Sequence, residues 1–192
     1  MKGKRVNIGK TDSGSRQNAI DALNEAGIDW RKDIMVKGGQ AIDGPSLLLS
    51  GEVDAFFHTV GHPSGIITFA TVGVRSVRFI PIDTTERLLS KYPYYVKSLI
   101  PRKLYPGAVN ENDVETFGVK ATFVTSAKTP DNIVYAITKE VFENLESFRK
   151  RHHTYKMLTK DSMLKGGLTA PIHPGAAKYY KEIGLQLPLS TH

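Results

Sequence analysis

The 192 residues include no cysteine. That excludes disulfides, thiolate metal sites and cysteine nucleophiles, and leaves the redox compartment open. No apolar run reaches the length of a bilayer span. The dinucleotide pattern Gly-x-Gly-x-x-Gly is missing, and so is the Lys-Ser/Thr pair of a phosphate-binding loop. Neither a Ser-His-Asp spacing, nor a carboxylate pair flanking a cleft, nor a metal cluster stands out, so no catalytic set, metal or cofactor is expected. Acidic residues are outnumbered, 19 Asp and Glu against 26 Lys and Arg, for a net charge of +7. The charge is scattered rather than set in a stripe. Only Arg149-Lys150-Arg151-His152-His153 forms a block, and such a block suits the C-terminal end of a helix. Nucleic acid is therefore not the expected partner, whereas a positive surplus fits the attraction of small anions.

What is present reads as an ordinary globular chain, 40% apolar and 23% charged, of a length for one domain or two lobes. The stretch from Lys4 to Gly27 organises the rest. Val6 and Ile8 alternate as in a strand, and Gly9 to Ser15 is a Gly/Ser-rich turn. Ala19, Ile20, Leu23 and Ala26 then fall on one helical face before Gly27. The opening amides of such a helix lack internal partners and carry the positive end of its dipole. Small residues at Ser13, Gly14 and Ser15 would let an anionic group approach them. The same residues also suit plain helix capping.

Further strands and helices alternate. A short strand ends at Val36, a helix lies within Gln40–Ser50 and starts as late as Gly44 because of Pro45, and Val53–Phe57 is a buried strand. This order predicts a parallel sheet covered by helices, an α/β fold. The loop from His58 to Gly65 follows the third strand, so Thr59, Gly61 and His62 are expected on the same sheet edge as Ser13–Ser15. Pro63 suits the first turn of a helix over roughly Ser64–Val72. His58 and His62 lack a third ligand nearby, which favours a hydrogen-bonding histidine over a metal site. Val77–Ile82 reads as a strand, Asp83 as the cap of a short helix, and Val96–Ile100 as a segment before the Tyr105-Pro106-Gly107 turn, where Tyr105 is a cleft candidate. Thr116–Thr125 reads as one long strand. The clearest helix begins at Thr129-Pro130-Asp131, with Ile133, Ile137, Val141, Leu145 and Phe148 as its apolar stripe. Short helices are expected over Thr159–Leu164 and from His173-Pro174-Gly175 to Ile183. After Thr125 the chain is nearly all helix, and no later strand offers the stripe a surface to cover.

Several segments together resemble the solute receptors of tripartite ATP-independent periplasmic (TRAP) transporters, of the TRAP-associated extracytoplasmic immunogenic (TAXI) type. They are Lys2-Gly3-Lys4-Arg5-Val6-Asn7-Ile8-Gly9 with Ser13-Gly14-Ser15, Gly51-Glu52-Val53-Asp54-Ala55-Phe56-Phe57, and Leu88 to Tyr95 (LLSKYPYY). Ile100-Pro101 with Tyr105-Pro106-Gly107, Val141 to Leu145 (VFENL) and His173 to Tyr180 (HPGAAKYY) complete the set. The resemblance implies a type II periplasmic-binding-protein-like fold. Residues 1–120 would be one α/β lobe bearing the ligand loops. Residues 121–192 would be a crossing strand and the C-terminal helices of an incomplete second lobe. It also implies a non-enzymatic receptor that hands a small carboxylate, such as glutamate or another organic acid, to TRAP membrane permease subunits, without inserting into the membrane itself.

Receptors of this type begin with a secretion signal and a glycine-rich first lobe. Here Met1 leads almost directly into a strand, so the expectation is a truncated receptor, periplasmic in its full-length relatives and cytoplasmic if made as it stands. The expected ligand set is Ser13, Gly14, Ser15, Arg16, Thr59, Gly61, His62 and Tyr105. Arg16 and His62 depart from the residues usual at their places, and both favour an anion. The alternative is an enzyme on the same fold, such as a transferase acting on a phosphorylated substrate. Its base would be Asp12, His58 or His62.

Overall fold

The computed structural model describes residues 1–165 and 167–187. They divide into two compact units. One comprises Met1–Tyr92 with Lys97–Gly118, the other Pro93–Val96 with the described residues from Val119 onward.

The first unit is built on three short parallel strands. β1 (Arg5–Asn7) is central, between β2 (Met35–Lys37) and β3 (Ala55–Phe56). Helix α1 (Gly14–Glu25) links β1 to β2, and α2 (Gly44–Ser50) links β2 to β3, so the predicted strand-helix alternation is present. Val6 stands opposite Val36 on one side and Ala55 on the other. A strand flanked on both edges and covered on both faces has no solvent side. Accordingly Val6, Asn7 and Ile8 are all fully buried. Val6 and Ile8 form one core with Ala19 and Leu23 of α1 and with Ile34. At an order of 2–5 kcal/mol per large buried aliphatic side chain, this cluster anchors the helix to the sheet. Gly27, at φ +69°, adopts the left-handed conformation that ends α1.

Helix α3 (Gly65–Thr71) starts after Ser64, so Pro63 precedes the helix instead of opening it. Helix α4 (Thr85–Lys91) is preceded by Thr84, not Asp83. It is pinned to the end of α1 by Lys91 to Glu25 at 2.6 Å and by Arg87 donating to the Glu25 carbonyl at 2.6 Å. A second cluster of Ile67, Tyr105 and Ala108 takes in Phe56, Val60 and Phe79. The strand expected over Val77–Ile82 is not one. Phe79 instead pairs with the side chain of Asn110, which accepts from its N–H at 2.8 Å and donates to its carbonyl at 3.0 Å. One amide side chain there does the work of a neighbouring strand. β4 (Tyr95–Ile100) and β5 (Val114–Val119) make a two-stranded sheet.

Thr116–Thr125 is thus strand only to Val119. Residues 120–126 carry no ladder and are exposed, with Phe123 at 78% and Val124 at 66%. In the second unit the long predicted helix is two, α5 (Asp131–Glu143) and α6 (Leu145–Lys150), parted at Asn144, whose amide bonds back to the Glu140 carbonyl at 3.0 Å. Leu145 and Phe148 therefore belong to a different helix from Ile133 and Ile137. The segment expected as a helix near Thr159–Leu164 is a single 3-10 turn, Ser162–Leu164. Helix α7 (Pro174–Glu182) packs on α5 through Phe142 and Tyr179, with ring centres 6.0 Å apart. Tyr135 adds a 2.7 Å hydrogen bond to Glu182.

Candidate functional site

Parallel strands release their following loops along one edge, and here three loops meet at the carboxyl ends of β1, β2 and β3. Asn7 joins two of them. Fully buried at the end of β1, it accepts the Gly9 N–H at 2.8 Å and donates to the Gln40 carbonyl at 3.2 Å. An amide side chain carries its donor and its acceptor on separate atoms, so it can reach both loops at once. The loops it clamps enclose an open concavity of about 420 Å³. Gly9, Lys10, Thr11 and Arg16 form one wall, and Gly38, Gly39, Gln40 and Asp43 the other. Gly9 at φ +88° and Gly39 at φ +120° turn the backbone where an L side chain would be strained.

The concavity carries charge of both signs. Arg16 donates to the Gly9 carbonyl at 3.0 Å, and its guanidinium lies 5.1 Å from the centre of the Trp30 ring. Arg31 also covers that ring, at 4.3 Å. Opposite, Asp43 accepts the Gln40 N–H at 2.8 Å through one oxygen, and its other oxygen has no partner among the described residues. At the start of α1 the Ser13 hydroxyl accepts the Arg16 N–H at 3.2 Å and donates to the Lys10 carbonyl at 2.7 Å. The Gly14 and Ser15 amides are not used by any described residue.

The loop after β3 is tied to α1 by Asn18 donating to the Thr59 hydroxyl at 2.9 Å. Farther along it, His62 Nδ1 lies 2.6 Å from the Tyr105 hydroxyl, which also accepts the Ser64 N–H at 2.8 Å. Either Nδ1 or the phenol oxygen can be the donor of this short bond, according to the tautomer of the imidazole. Burial holds His62 below the usual histidine range, and nearby His58 pushes the same way. Burial raises Tyr105, against the Ser64 N–H, which lowers it.

Of the residues expected from sequence, Ser13, Gly14, Ser15 and Arg16 follow β1, and Thr59, Gly61 and His62 follow its neighbour β3, all on one sheet edge. Only Arg16 of these lines the concavity. Ser13 spends its hydroxyl on the helix. Tyr105 is wholly buried with its hydroxyl engaged, so it supports His62 instead of facing the loops as a cleft residue. Sequence reasoning passed over Asn7, Lys10, Thr11 and the Gly38–Asp43 wall. The Gly38-Gly39 pair directly after β2 was the available signal, because paired glycines at a strand end mark a sharply turned loop. The basic block is partly internal, since Arg149 holds the Leu158 carbonyl at 2.7 Å and pairs with Glu146.

Among the described residues no helix is long and apolar enough to cross a membrane. The sequence matches the NMT1-like family over residues 1–184. That match covers nearly the whole chain, and the mixed α/β architecture is compatible with it. The chain belongs to the NMT1-like family, a family of periplasmic-binding-protein-like solute receptors.

Proposed function

We propose that the chain binds a small anionic solute, a carboxylate such as glutamate or another organic acid, at the carboxyl edge of its parallel sheet and releases it unchanged. The carrying observation is the placement of Lys10 and Arg16 in a concavity beside the unused amides of Gly14 and Ser15. Two cations with helix-terminal N–H groups next to them make a field that favours a carboxylate. Thr59, Gly61 and His62, on the neighbouring loop, complete the contact set in this reading, with Tyr105 holding His62.

Within the family, the TAXI-like segments support assignment to receptors of TRAP-type transporters, with the permease subunits as recipients and the periplasm as the place of action. Residues 1–120 serve as the ligand-bearing lobe and residues 121–192 as the crossing segment and helices of the other lobe. Trp30 is the sole tryptophan and touches Arg16, so its fluorescence reports occupancy. Titration with glutamate and succinate at low salt is expected to give a saturable change that weakens in an Arg16→Gln, Lys10→Gln double variant. Absence of saturation with every carboxylate tried would overturn the assignment. Consumption of the ligand would turn it into an enzyme.

A further inference from the structure

The concavity is lined by the loops that follow β1 and β2, and its second wall has chemistry that an anion alone does not need. Resting on the anion-binding reading above, we propose that the Gly38–Asp43 wall is a second subsite. It reads a hydrogen-bond donor on the solute, so that the ligand is an anion bearing an ammonium or hydroxyl group.

Three features carry this. First, Asp43 lines the concavity together with Lys10 and Arg16. A carboxylate there repels a purely anionic ligand, and it helps only a ligand that brings a donor or a positive charge to it. Second, Asp43 is held in place. Its one oxygen takes the Gln40 N–H at 2.8 Å, which leaves the other oxygen available to a ligand. Third, the wall is fixed relative to the cationic side by a buried device. Asn7 binds Gly9 N–H on one loop and the Gln40 carbonyl on the other, so the two subsites keep their separation. A pre-set spacing between opposite charges is a specificity element, because a solute matching only one end leaves the other group unpaired.

The test uses the intact chain and three four-carbon dicarboxylates that differ only at carbon 2: succinate with hydrogen, malate with hydroxyl and aspartate with ammonium. Calorimetric titration at low salt is expected to rank aspartate and malate above succinate by about tenfold, as one charge-assisted hydrogen bond implies. Asp43→Asn keeps an acceptor for the Gln40 N–H and so preserves the loop, yet removes the charge. It should abolish the advantage of aspartate over succinate while succinate binding holds or improves. Asn7→Ser, which cannot span both loops, should lower the affinity for aspartate more than for succinate. Equal affinities for all three compounds in the unmodified chain, or an aspartate preference that survives Asp43→Asn, would overturn the second subsite and leave anion binding standing. Failure of all three to bind would overturn both.

Discussion

The Tyr105 hydroxyl sits 2.6 Å from Nδ1 of His62 and accepts the Ser64 N–H at 2.8 Å. One buried phenol thus ties down a loop histidine and satisfies a backbone donor. Replacing Tyr105 by Phe keeps the ring packing against Phe79, with centres 5.2 Å apart, but leaves the buried Ser64 N–H and the half-buried His62 Nδ1 without this partner. The expected loss is about 1–3 kcal/mol in a urea titration. A Tyr105→Phe variant as stable as the parent would show that these hydrogen bonds contribute nothing.

Acid should weaken the fold in two stages. His62 titrates below the ordinary 6.5 through burial and then through His58, while His58 is lowered by burial against a backbone contact from Ala41 that raises it. The unfolded chain takes up these protons near pH 6.5, before the folded chain does. Their contribution is therefore complete above that pH and shrinks as pH falls through the folded values. Later, Asp54, drawn from 3.8 to about 2 by hydrogen bonds from the Arg5 side chain and backbone, contributes above 3.8 and is lost as pH falls through about 2. Urea midpoints should decline between about pH 7 and pH 5, and a His58→Gln, His62→Gln variant should flatten that decline. A midpoint that rises on acidification over this range would refute the lowering of these two half-buried histidines.

The fold was legible where local pattern and tertiary context agreed. Val6, Ile8, Ala19 and Leu23 announced the β1–α1 unit because their periodicities match the surfaces they bury. Reading failed where a single polar side chain replaced backbone. Asn110 supplies the partner that makes Val77–Ile82 look paired without a strand, and Asn144 divides an apolar stripe that otherwise runs on without a gap. Asn7 escaped notice for a related reason. A polar residue inside a strand pattern has no periodic signal, and its value lies in the separation of two loops that are far apart in sequence.

Gly175 marks a contact that tolerates no side chain. A Cβ at that position would overlap the Asp131 carbonyl oxygen at the start of α5. Gly175→Ala should force α5 and α7 apart and cost on the order of 1–3 kcal/mol. Gly14→Ala, where a Cβ would meet open space, serves as the control for stability. Equal melting temperatures for Gly175→Ala and the parent would mean that the α5–α7 contact is not part of the folded core.

Apolar side chains are left in water along the second unit, with Phe123 at 78%, Val124 at 66%, Ile133 at 47% and Ile137 at 43% exposure. Exposed apolar groups of this kind promote association and dye binding. Anilinonaphthalene sulfonate fluorescence should be enhanced by the native chain and reduced in a Phe123→Ser, Ile137→Gln variant that unfolds at the same urea concentration. Dye binding that is absent in the parent, or unaltered in the variant, would contradict this.

The most direct test of the anion site is an amide chemical-shift titration of the labelled chain with aspartate, with the ligand followed in the same samples. Gly9, Thr11, Gly14, Ser15 and Gly39 are predicted to shift together along one saturation curve, and the aspartate to remain chemically intact. Shifts confined to residues remote from these loops, or loss of the ligand to a product, would contradict a receptor built on the ends of β1 and β2.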